Sequence, residues 1–128
     1  MNTKDRASAL RLEICRRQER LGALLIQLKG ASPMIRGSVY ARRRRCGKPR
    51  CRCVRGHPHR DRVLAIRCAG RMSVRGLDPT ADAAVEQAVA AWHGFRRQRG
   101  ELVAACRGLL LAVDRLADLR VTWAGDVR

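Results

Sequence analysis

An α+β fold, mainly helical, is what this sequence predicts. An N-terminal helix and a long C-terminal helix pack as an antiparallel hairpin, with a small cysteine-rich knuckle and a β-hairpin between them. Three observations predict it. Residues 5–29 and 79–120 repeat apolar side chains at helical spacing, whereas residues 33–77 do not. Two short apolar runs in that middle segment flank a turn. Three cysteines and two histidines fall within the fourteen residues from Cys46 to His59.

In the first element, Leu10, Ile14, Leu21, Leu24, Leu25 and Leu28 share a stripe with charges elsewhere, the signature of an amphipathic helix. Arg17 interrupts the stripe, and Gly30, Ser32 and Pro33 end it. In the middle segment, Val63, Leu64 and Ile66 precede Ala69, Gly70 and Arg71, and Met72, Val74 and Leu77 follow. That order reads as two strands and a turn. Two strands alone are marginal in water and need support beneath them. Asp78 and Pro79 then signal a helix start, with an acid at the N-cap and proline at the first helical position. Val85, Val89, Trp92, Phe95, Leu102, Cys106, Leu109, Val113 and Leu116 recur mostly at three- and four-residue steps, like a coiled-coil seam. Gly94, Gly100 and Gly108 weaken that helix, and a break is expected near Gly100. The segments are thus an N-terminal helix in 1–32, a basic knuckle and β-hairpin in 33–78, a long helix in 79–120 and a loose tail in 121–128, all read as one domain.

The knuckle carries the chemistry. Its motif is Cys46-x4-Cys51-x-Cys53-x5-His59. Thiolates and imidazole at this range suit a tetrahedral zinc ion. Gly47 permits a tight turn that brings amide groups towards the first sulfur. An extended backbone from Cys51 to Cys53 would point both sulfurs to one side. Cys46, Cys51 and Cys53 are the expected thiolate ligands. His59 is the first choice for the fourth, His57 the second and Cys68 the third. No acid other than Asp61 lies nearby to serve as a general base, and there is no catalytic triad, paired carboxylate or phosphate-binding glycine loop. A catalytic role is therefore not expected. Cys15 and Cys106, in the helical segments, are expected to be buried as small apolar residues.

The charge is as uneven as the cysteines. Lysine and arginine number 28 against 11 acids, for a net charge of +17. Residues 36–75 hold 14 of those bases and a single acid, Asp61. Such a surface repels itself unless a polyanion offsets it. Arg42, Arg43, Arg44, Arg45, Lys48, Arg50, Arg52, Arg55, Arg60 and Arg62 surround the ligands, and the planar guanidinium suits phosphate. Nucleic acid is the expected partner, DNA more than RNA, bound through its backbone. Tyr40 is the one aromatic in the basic segment, too few for base stacking. The N-terminus lacks a signal-peptide pattern, so the reading is a cytoplasmic, reducing setting, nucleoid-associated if the partner is DNA. A membrane partner is not expected. The apolar seam of the last helix suggests an alternative role, an interaction adaptor that forms a homodimer or docks a larger protein.

The segment from Pro33 through Gly37, Ser38 and Tyr40, then Cys46, Gly47, Lys48, Cys51 and Cys53, and finally Gly56, Pro58 and His59, resembles a family of short bacterial proteins of unknown function. The resemblance spans about residues 33–106, with Trp92 and Phe95 where that family carries an aromatic pair. It implies Cys46, Cys51, Cys53 and His59 as ligands and suggests an association with transposable elements. Arg60, Asp61 and Arg62 stand where the family has a Gly-Pro-aromatic run.

Overall fold

A computed structural model describes residues 2–121. Its elements run α1 (Thr3–Leu28), β1 (Gly37–Arg44), a short 3-10 helix (Arg52–Arg55), β2 (His59–Cys68), β3 (Arg71–Leu77) and α2 (Ala83–Arg120). Two helices thus enclose, in sequence, a three-stranded antiparallel sheet of order β1-β2-β3. The expected loose tail lies, from residue 122 on, outside the described residues.

The chain forms two compact units. The first comprises Met1–Gly30 and Phe95–Arg128. Asn2 caps α1 by accepting the Asp5 N–H at 2.9 Å, which satisfies one of the free donors of the first turn. The helices run antiparallel, as expected: Arg20 pairs with Glu101 at 3.3 Å, while Arg6 and Leu10 share a groove with Arg115 and Leu119. Among the described residues of this unit, Leu24 and Ala112 are the buried apolar ones. The interruption at Arg17 has a structural reason. Its guanidinium bonds Glu13 at 2.8 Å and occupies the space where a side chain at position 108 would be, so Gly108 accommodates it.

The expected single seam along α2 resolves into separate stripes. Leu102, Leu109 and Leu116 are half-buried along with Ala105, and Ala112 is buried. Cys106 and Val113 are exposed and belong to a different stripe. Cys15 is exposed too, so the expectation of two buried cysteines is corrected: each sits on its helix away from the half-buried stripe. No break occurs at Gly100, and α2 is continuous over its 38 residues. About 1 kcal/mol per glycine is too little to interrupt a helix held by packing on both sides of that point.

The second unit comprises Ala31–Gly94. The expected hairpin is present as β2 and β3, joined by Ala69 (φ 50°) and Gly70 (φ 79°) between the paired Cys68 and Arg71. Two consecutive positive φ values mark the type I′ turn, whose twist matches that of the strands. The third strand, β1, was not expected. It pairs in register with β2 from Gly37 opposite Ile66 to Arg44 opposite His59. The start of α2 covers one sheet face. Arg62 bonds Glu86, Arg75 pairs with Asp82, and His93 Nε2 donates to the Gly37 carbonyl at 2.9 Å. The core comprises Val63, Leu64, Ala88 and Val89, with Cys53 buried in the knuckle. The helix starts later than Asp78 suggests. Asp78 accepts from the Thr80 and Ala81 N–H groups and so caps a turn that precedes Ala83.

Candidate metal centre and basic surface

The β1–β2 ladder closes at Arg44 and His59, so residues 45–58 form one long hairpin connection. All three knuckle cysteines lie in it. Gly47 adopts φ 82°, which folds the backbone so that the Lys48 N–H reaches the Cys46 sulfur. Cys51 is extended (φ −77°, ψ 143°), and the chain then turns into the 3-10 helix that holds Cys53. The second pair is therefore brought together by a turn rather than by the extended run expected from the spacing. The Cys53 N–H bonds the Cys51 sulfur. Gly56, at φ 91°, ends the helix and returns the chain to β2.

The ligand atoms of Cys46, Cys51, Cys53 and His59 all lie within 4.8 Å of one another. Cys46 Sγ is 3.6 Å from Cys53 Sγ, and Cys51 Sγ is 3.1 Å from His59 Nε2. A tetrahedron with metal–sulfur bonds of ~2.3 Å has edges of about 3.7 Å. The observed spacing fits that figure and is far longer than a disulfide bond of ~2.05 Å. The four residues can therefore hold a metal ion. Cys53 is fully buried and the other three are half-buried. Of the alternates, His57 is exposed in the loop, and Cys68 is exposed at the far end of β2, about 30 Å from His59 at ~3.3 Å per residue.

The thiols differ in acidity. Cys51 is lowered to about 6, first by the Cys53 N–H, then by the Cys46 and Cys53 sulfurs, with a smaller contribution from His59. Cys46 is raised. The Lys48 N–H, the largest single influence, favours its thiolate, but burial and the neighbouring sulfurs outweigh that. Cys51 is thus the more acidic of the two, and a divalent cation bound at the site would favour the thiolate form of its ligands.

The basic residues around this centre separate into two groups. Asp61 accepts from Arg42 at 3.0 Å and from Arg44 at 3.2 Å. Arg42 is the main reason its carboxyl lies below the usual carboxylate range. Arg62 is engaged by Glu86. Arg43, Arg45, Lys48, Arg50, Arg52, Arg55 and Arg60 are exposed, and among the described residues none has an acidic partner. Arg43 and Arg60 face each other directly across the ladder. Sequence reasoning missed this pairing because it missed β1. The available signal was Val39 and Tyr40, two strand-forming residues ahead of the arginine run.

Residues 11–65 match a domain of unknown function, DUF6788. The match takes in most of α1, all of β1 and the four candidate ligands, and ends within β2. It agrees with the expected resemblance to an uncharacterised family over the knuckle. No curated protein and no solved structure matches the chain. No helix among the described residues is long and apolar enough to cross a membrane.

Proposed function

We propose that this chain is a zinc-stabilised protein that binds the phosphate backbone of nucleic acid, DNA in preference to RNA, as an accessory factor in DNA transactions of the kind mobile elements require. The observation that carries the reading is the juxtaposition of Arg43 and Arg60. Like charges placed directly opposite on a sheet are destabilising. The arrangement becomes favourable when a phosphate oxygen accepts from both guanidinium groups. Five further unpaired bases of the knuckle extend the same cationic surface.

Zinc is the ion the donor set favours. Three thiolates and one imidazole are a soft, tetrahedral set, which calcium, magnesium and manganese do not seek. Four protein donors also leave no position open for substrate, so the centre is structural in this reading. Zinc with three thiolates carries a local charge of −1, which the surrounding bases offset. Its role is to hold residues 45–58 in one conformation, so that guanidinium groups meet phosphates without first losing loop entropy.

The test is titration of duplex DNA and of structured RNA against the zinc-loaded chain at several salt concentrations. Neutralising roughly 5–8 phosphates gives a slope of about −4 to −7 in log affinity against log salt. Arg43→Ala and Arg60→Ala should each flatten that slope by about 1. Absent binding, or binding indifferent to salt, would overturn the reading.

A further inference from the structure

We propose that α2 dimerises with a second copy of this chain, antiparallel, through a stripe that the intrachain helix pairing does not use. Val103, Cys106, Leu110, Val113 and Ala117 follow steps of three, four, three and four residues, the spacing of a coiled-coil seam. All five are exposed, Leu110 at 61%. The stripe lies roughly 100° around the helix from the half-buried stripe of Leu102, Leu109 and Leu116 at 3.6 residues per turn. A partner helix laid on it would therefore extend the apolar core of this two-helix unit without displacing α1.

Charge selects both the occupant and its direction. Arg107 and Asp114 flank the seam on one side, both exposed, and neither has an ion-pair partner among the described residues. They are seven residues apart, two turns along one face. In the antiparallel register that sets Leu110 against the partner's Val113 and Cys106 against the partner's Ala117, Arg107 meets the partner's Asp114. The twofold axis repeats the pair, giving two complementary contacts from one self-complementary surface. The stem of the partner's Arg120 covers Val103 with its charge kept in water. A parallel arrangement would instead put Arg99 against the partner's Arg99 in the same seam, and Arg107 would face no acid. An unrelated partner has no such constraint to satisfy both the apolar steps and the charge pair. Pairing of α2 in this register needs neither zinc nor nucleic acid.

The test is the mass of the nuclease-treated full chain by sedimentation equilibrium over a range from low micromolar to submillimolar concentration. The expected result is a concentration-dependent species of twice 14.3 kDa. Leu110→Glu should abolish it while leaving the helical signal intact, because that side chain is exposed in the single chain. Asp114→Arg should weaken the dimer about tenfold or more, the effect of ~1.4 kcal/mol lost at a charged interface. Arg107→Asp combined with Asp114→Arg should restore it. A wild-type chain that stays monomeric throughout would overturn the proposal. So would a dimer that Leu110→Glu leaves unchanged, or one in which the double reversal fails to rescue. A mass shift seen only with another protein added would assign the stripe to that protein and equally refute a second copy.

Discussion

Arg43 stands directly opposite Arg60 with no acid between them, while one residue along the same ladder Arg42 stands opposite Asp61 and bonds it at 3.0 Å. One strand pair thus carries a neutralised cross-strand pair and a repulsive one on its two faces. A sheet selected for stability alone would neutralise both. Replacing Arg43 with glutamate should therefore stabilise the protein by up to about 1 kcal/mol while weakening its hold on a polyanion. Denaturant unfolding and fluorescence anisotropy on the same variant check both halves. A variant that loses stability, or binds DNA as well as the parent, would contradict this.

The β2–β3 turn stores strain that can be removed. Ala69 holds a φ of 50°, which costs a residue with a Cβ roughly 1 kcal/mol. Ala69→Asn places the favoured Asn-Gly pair in the type I′ turn. The expected gain is about 0.5–1 kcal/mol, read as a higher unfolding midpoint, with metal content unchanged.

Gly37 has the opposite requirement. A Cβ there would lie 2.7 Å from Ile66 Cγ2 and 2.9 Å from the Ala65 carbonyl oxygen. The backbone oxygen cannot yield without disturbing the ladder. His93, bonded to the Gly37 carbonyl, would be displaced with it. Gly37→Ala should cost about 1–3 kcal/mol and speed amide exchange along β1. Exchange as slow as in the parent would refute the close approach.

The metal-free protein should show Cys51 titrating well below Cys46. Cys51 is lowered to about 6, chiefly by the Cys53 N–H. Its folded value lies below the unfolded one, so its contribution to stability is present in full above the unfolded value, near 9, and is lost as pH falls towards 6. Alkylation followed by mass spectrometry should find Cys51 modified first at neutral pH, with a rate that rises through pH 6. Cys46, whose value is raised, should react later. Equal labelling rates at Cys51 and Cys46 would contradict the assignment.

Much of this molecule is legible in the sequence, for physical reasons that differ by element. The two helices declare themselves because long apolar stripes require burial, and the motif from Cys46 to His59 does so because few other chemistries use such spacing. β1 is concealed because arginines occupy the last three of its eight positions, and its pairing with β2 depends on contacts remote in sequence. The same blindness hid the opposition of Arg43 to Arg60. Arg17 looked like a defect in the first stripe because its accommodation by Gly108 lies on another helix. Cys106 and Val113 looked like members of one seam because periodicity cannot separate two adjacent stripes on a long helix.

Metal content measured together with amide exchange decides whether an ion orders the knuckle. One zinc ion per purified chain is expected. Its removal by a chelator should release amide protection around residues 44–59, preserve most of the helical signal and weaken DNA binding. A metal-free chain with the same protection around Arg44 and His59, and the same affinity for DNA, would contradict that ordering role.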